Sequence, residues 1–279
     1  GVSSYNALTA SVVQRASSGL SFKAGYTFGK IMDLNSAISG SNGTNEPMTV
    51  YDRFNMALNK GVAAYSLKHQ FNFSYTYELP FGSGKRFASG ASGTMDRVIG
   101  GWQWNGILTL QGGFPFTPQA GANSSGNGDT FNPDLPNVNT AFTGAVVLGV
   151  DGFKKTGRYF DPTAFVVPTP GTYGNVSRGS LIGPGLTQFD TSLFKSVKLT
   201  ENWNLQLRVE AFNLFNHVNF TRLNATVGAT GGTITQAATS RQLHEFPCLR
   251  NCSPRTRWPA TLFQRCADKS VAIVRAPAA

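Results

Sequence analysis

Residues 65–79, Tyr-Ser-Leu-Lys-His-Gln-Phe-Asn-Phe-Ser-Tyr-Thr-Tyr-Glu-Leu, alternate apolar or aromatic with polar side chains almost without a break. A strand sends successive side chains to opposite faces. One face therefore carries Tyr65, Leu67, Phe71, Phe73, Tyr75, Tyr77 and Leu79, and the other Ser66, Lys68, Gln70, Asn72, Ser74, Thr76 and Glu78. At roughly 3.3 Å per residue such a ribbon separates an apolar from an aqueous environment over about 50 Å. Strands of ordinary globular domains stop after about five or six residues. A strand this long, aromatic on one side and hydrated on the other, is what the wall of a transmembrane β-barrel requires.

Composition fits that reading. The chain has 31 Gly, 21 Phe, 8 Tyr and 4 Trp, with only 14% charged residues, a β-rich and turn-rich mixture. No run of eighteen apolar residues exists, which excludes a spanning helix but not barrel strands, whose hydropathy signal is much weaker. The first residue is Gly1, with no methionine or signal segment, so the chain is expected to be a piece of a longer protein with its targeting sequence upstream. The net charge of +10 does not imply a nucleic-acid partner. Residues 246–279 hold six basic residues against Asp268 alone, and the remaining basic residues are spread among acidic and polar ones without forming a stripe.

The two-residue period predicts strands over 5–14, 20–30, 65–79, 101–114, 188–199 and 203–217, and a last one beginning near 237 and breaking off by about 246. The connections between them alternate: short at 15–19, long at 31–64, fairly short at 80–100, very long at 115–186, short at 200–202, long at 218–236. Outer-membrane barrels sort tight periplasmic turns from long extracellular loops in this way, whereas a β-sandwich has no reason to. The fold expected is all-β: an antiparallel transmembrane β-barrel portion of about seven long strands.

Chemical motifs are poor by comparison. His244, Cys248, Cys252 and Cys266 lack the paired spacing of a structural zinc site, and three cysteines make no tidy disulfide framework. Gly82-Ser83-Gly84-Lys85 misses the upstream glycine and following hydroxyl of a phosphate loop, because Leu79 and Arg86 stand there, so it reads as a turn. Asn127, Asp129, Asn132 and Asp134 do not fit a calcium-loop order. His69, His217 and His244 are the only histidines, and none is placed for a catalytic triad, so neither an enzyme nor a cofactor is expected. Trp102, Trp104, Tyr75, Tyr77, Phe114, Trp203 and Phe215 suit aromatic girdles. Lys195 falls on the lipid side of the register and is expected to keep its charge at the lower interface. The candidate lumen-lining residues are Lys23, Lys68, Gln70, Asn105, Asp190, Arg208 and Glu210.

In order along the chain, Tyr5-Asn6-Ala7-Leu8, Gly25-Tyr26-Thr27-Phe28-Gly29-Lys30, Tyr77-Glu78-Leu79-Pro80-Phe81-Gly82, Gly101-Trp102-Gln103, Phe189-Asp190-Thr191-Ser192-Leu193-Phe194-Lys195 and Glu210-Ala211-Phe212-Asn213-Leu214-Phe215-Asn216-His217 resemble the C-terminal barrel of TonB-dependent outer-membrane receptors. The Oar-like branch, which carries an N-terminal carboxypeptidase-regulatory-like domain, is the most similar. The resemblance covers residues 1 to about 245. It implies a bacterial outer-membrane location, a wall of about 22 strands, an upstream plug domain, coupling to TonB through an upstream segment, recognition by the barrel assembly machinery, and uptake of a large or scarce ligand. Residues 246–279 depart from the pattern and are expected to be a disordered, basic, Cys-containing tail from a shifted reading frame or an artefact. The competing expectation is a secreted β-sandwich or adhesin that binds carbohydrate, which would bury Phe71, Phe73, Trp104 and Leu207 between two sheets. A passive porin-like channel is a further alternative.

Overall fold

The computed structural model describes residues 1–36, 51, 52, 54–128, 134–199 and 203–251. Seven long strands dominate it: β1 (Ser4–Ser17), β2 (Leu20–Asp33), β3 (His69–Glu78), β4 (Trp102–Gln111), β5 (Leu186–Lys198), β6 (Trp203–Phe212) and β7 (Gln242–Asn251). They pair in sequence order as one antiparallel meander, with the short Gly61–Val62 segment added to the end of β2. The sheet does not close on itself: among the described strands, β1 and β7 are its edges.

The pairing register carries the two-faced character of single strands across the whole sheet. Ala24, Phe73, Leu108 and Phe189 stand in one row across β2 to β5, and their chain neighbours Gly25, Asn72, Thr109 and Gln188 form the row behind. A slip of one residue anywhere would put polar side chains into the apolar rows, so the pattern specifies the register strongly. Trp104 and Leu207 are each 44% exposed on the apolar side, and no second sheet covers them among the described residues. The expectation of a two-sheet sandwich fails on this point.

Several strand ends differ from the sequence expectation, each for a local reason. The ladder of β3 starts at His69 rather than residue 65, because the Ser66 hydroxyl accepts the Ile31 N–H at 2.9 Å and the Ser66 N–H donates to Ala63 O, which closes a turn. β6 stops at Phe212 rather than 217. Asn213 and Asn216 take left-handed conformations (φ 50° and 51°), and the Asn213 side chain brackets His217, accepting its N–H at 3.0 Å and donating to its carbonyl at 2.9 Å. Residues near 237 pair with Phe220–Leu223 instead of opening the last strand, which begins at Gln242. That strand continues beyond the boundary expected at 245/246 and runs to Asn251, with Pro247 opposite Leu207 on the outer edge of the sheet, where proline is tolerated. The expected tail from Cys252 onward lies outside the described residues.

The long connections are not open loops. Residues 112–185 contribute Phe116, Tyr159, Phe160, Ala164, Phe165 and Val176 to a hydrophobic core, which Leu223 and Ala225 of the 213–241 connection complete. Two short ladders, Pro115–Phe116 with Leu181–Ile182 and Asn137–Val138 with Phe165–Val166, and the helix Gly149–Thr156 frame this cap. Phe160 is fully buried, with Phe116 and Phe165 at ring distances of 5.6 and 6.2 Å. Burial pushes the Tyr159 phenol above its ordinary pKa, so it stays neutral within the core. The main apolar core therefore lies above the sheet.

Candidate functional site: the polar wall and its cap

The polar rows curve around a groove of about 770 Å³ lined from β1 through β6. Lys23, Asn105, Asp190, Arg208 and Glu210, five of the seven expected wall residues, line it together with Ser74, Thr76 and Ser192. The register explains the convergence, since Ser21, Thr76, Asn105, Ser192, Glu210 and His244 form one continuous row, and Lys23, Ser74, Ile107 and Asp190 the next.

These side chains are not equally available. Arg208 is paired with Glu210 at 2.6 Å and lies 4.6 Å above the Phe194 ring. Asn105 accepts from Gln103 Nε2 at 2.7 Å and donates to the Ser192 hydroxyl at 3.3 Å. The Asp190 carboxylate accepts the Asn213 backbone N–H at 2.8 Å and Gln188 Nε2 at 2.9 and 3.1 Å. It thereby holds the turn that ends β6. We expect Asp190→Ala to cost about 1–3 kcal/mol of local stability through the orphaned Asn213 donor, read as faster amide exchange over residues 213–217, with the barrel strands unchanged.

Two expected wall residues lie elsewhere. Gln70 is in the polar row with Thr27 and Gln111 but beyond the groove. Lys68 lies just before β3, its carbonyl accepting the Gly29 N–H at 3.1 Å and its ammonium 6.0 Å above Phe28, a ring of the apolar rows.

Sequence reasoning missed a buried arginine. Arg178, 2% exposed, sits where the 112–185 connection crosses the end of β2 and forms an ion pair with Asp33 there. Its guanidinium also donates to Asp33 O at 2.6 Å, to the Ser36 hydroxyl at 3.0 Å and to Asn59 O at 2.9 Å. Ser36 in turn donates to Asp33 Oδ2 at 2.8 Å and accepts the Ala64 N–H at 2.9 Å. Gly61 is required beneath it, since a Cβ there would stand 2.4 Å from Arg178 O. The Tyr65 hydroxyl reaches Asp33 at 3.4 Å, and lost hydration, with the carboxylate second, pushes its pKa up. This latch ties the cap to the rim of the wall. The one sequence signal was an arginine set among small residues, Val176-Ser177-Arg178-Gly179-Ser180.

No cluster of three or more metal-ligating side chains occurs among the described residues. Of the calcium-loop candidates, Asp134 is buried and accepts from Ser125 N and Oγ at 2.6 and 3.0 Å, Asn127 donates to Tyr51 O at 3.3 Å, and Asp129 and Asn132 lie outside the described residues. In the 82–85 turn the Ser83 N–H is already taken by the Asp96 carboxylate, the opposite of a phosphate cradle. His69 bonds Tyr26 at 2.8 Å and His217 bonds Asn219 at 3.0 Å. For the zinc candidates, the side chain of Cys248 and all of Cys252 and Cys266 lie outside the described residues.

Residues 1–244 match the family described as outer membrane beta barrel domain. The chain belongs to that family. No curated protein and no solved structure matches it. An outer membrane beta barrel domain sits in the bacterial outer membrane, and the sheet's apolar rows are then its lipid face. Its shortest long strands, ten residues each, are of spanning length for a tilted barrel wall. The long connections mark the extracellular end and the short connection from β5 to β6 the periplasmic one. Tyr26, Phe28 and His69 stand at the upper rim, Trp102 and Trp203 at the lower. Lys195, on the lipid side as its register requires, is 5% exposed, donating to Gly100 O with its ammonium 5.1 Å above Trp102. Glu245 is set opposite Val209 in the lipid-facing rows, one residue past the family match.

Proposed function

We propose that this barrel is the C-terminal portion of a TonB-dependent outer-membrane receptor, most similar to the Oar-like branch, and that it supports energy-coupled uptake of a large or scarce ligand. The observation that carries this reading is the cap: two of the long extracellular connections share one hydrophobic core and are latched to the wall by Arg178, an ordered surface of the kind that ligand capture needs. The six receptor-like segments, in receptor order, support it further.

In this reading the chain has no catalytic role. Lys23 and the Arg208–Glu210 pair face an upstream plug, and further strands cover the edges of β1 and β7, whose bare backbone groups would each cost several kcal/mol in lipid. The periplasmic TonB contact comes from an upstream segment, and the barrel assembly machinery inserts the wall. In planar bilayers bathed in KCl, the intact protein should be electrically silent because the plug fills the lumen, and it should bind the periplasmic domain of TonB. A steady ohmic conductance without TonB binding would replace the receptor reading with a passive channel.

A further inference from the structure

The connection from β3 to β4, residues 79–101, is tightly built for a periplasmic segment. Gly82 (φ +111°) packs so closely that a Cβ would stand 2.6 Å from Gly100 Cα. The Asp96 carboxylate accepts the Ser83 N–H, the Gly82 N–H donates to Phe87 O at 3.1 Å, and the Phe87 N–H donates to Pro80 O at 2.9 Å. On this frame stand Phe81, Phe87, Met95 and Val98, exposed by 44, 49, 61 and 66%. The two phenyl rings lie 5.6 Å apart, and Met95 and Val98 are neighbours three residues apart on the helix Gly93–Ile99. Large apolar side chains held exposed on so tight a frame signal a partner rather than water.

The position of the segment identifies that partner. Trp102 Nε1 donates to Val98 O at 3.1 Å and Lys195 donates to Gly100 O, and both Trp102 and Lys195 belong to the lipid-facing rows. The end of the helix therefore adjoins the lipid side of the wall at its periplasmic rim, and its apolar surface continues the hydrophobic band. Leu199 and Trp203, 44 and 45% exposed, stand at the same rim. The charges agree. Arg97 is exposed, and Arg86 lies 5.5 Å from the Phe87 ring, whereas Lys85 is held by Glu78 of the opposite, polar face at 2.9 Å and Asp96 is engaged within the turn. Apolar side chains beside arginines are the composition of elements that lie in the boundary between headgroups and acyl chains.

We propose that residues 81–98 form a membrane foot on the periplasmic leaflet, with Phe81, Phe87, Met95 and Val98 among the acyl chains and Arg86 and Arg97 on the phosphates of anionic phospholipid. The test uses the intact protein in bilayers of phosphatidylethanolamine and phosphatidylglycerol. Nitroxides at Met95→Cys and Val98→Cys, with the native cysteines replaced by serine, should be more accessible to oxygen than to a water-soluble nickel chelate. Co-purified lipid should be enriched in phosphatidylglycerol over phosphatidylcholine, and the paired change Arg86→Gln and Arg97→Gln should abolish that enrichment. On the unmodified protein, amides 93–99 should exchange more slowly in phosphatidylglycerol bilayers than in phosphatidylcholine ones, a readout that no failed variant can obscure. Water-like accessibility at both 95 and 98 would overturn the foot and indicate a periplasmic protein partner, and an undiminished enrichment in the arginine variant would equally overturn it.

Discussion

Arg178→Met should detach the cap from the wall. The guanidinium is buried against Asp33, and removing one member of a buried ion pair leaves an uncompensated charge that costs about 3–5 kcal/mol. The loss should be local. Hydrogen exchange should accelerate at Ala64, whose N–H rests on Ser36, and through the neighbouring cap, and proteases should cut within residues 112–185, while β3 to β6 keep their protection. Adding Asp33→Leu should recover much of the loss, because a packed apolar pair avoids the desolvation that made the charges expensive. If the single variant exchanges and is cleaved like the parent protein, the latch contributes nothing to holding the cap. In the receptor reading, its loss weakens ligand capture without altering insertion into the membrane.

The latch also marks where sequence reasoning reached its limit. Strand identity, order and facing were legible because a spanning strand must solve one physical problem at every residue, lipid on one side and water on the other, which writes a period of two into the chain. Phe71, Phe73, Trp104 and Leu207 all carry that signature and all lie in the lipid-facing rows. Strand ends were less legible. Ser66 and Asn213 end ladders through side-chain bonds to partners far away or in the same turn, and alternation says nothing of these. The cap was illegible for a deeper reason: its core joins Phe116 and Phe160 to Leu223 through contacts with no period, so residues 115–186 read as an overlong loop. Arg178 meets Asp33 across more than half the chain, and nothing local announces it. Among the wall residues, Asn105 and Glu210 line the groove, whereas the Lys68 ammonium lies 6.0 Å from the Phe28 ring.

Phe73→Arg and Ser74→Arg make the partition itself measurable, since the two positions are neighbours in the chain and opposite in environment. Phe73 lies halfway along β3 in the row of Ala24, Leu108 and Phe189, with Phe22 and Tyr75 at ring distances of 5.9 and 5.7 Å. Arginine at a lipid-facing site near the bilayer midplane costs about 2–4 kcal/mol, and the lost aromatic contacts add about 0.5–1.5 kcal/mol each. Ser74 is exposed and lines the groove with Lys23 and Asp190, where a further guanidinium stays in water and should change stability by about 0.5 kcal/mol or less. Urea titration of the intact protein folded into bilayers should therefore show a large downward shift of the midpoint for Phe73→Arg and almost none for Ser74→Arg. Equal losses would mean that both faces of β3 meet the same medium, which no barrel wall can do. The reverse order would place lipid on the polar rows and exchange the inside and outside of every strand described above.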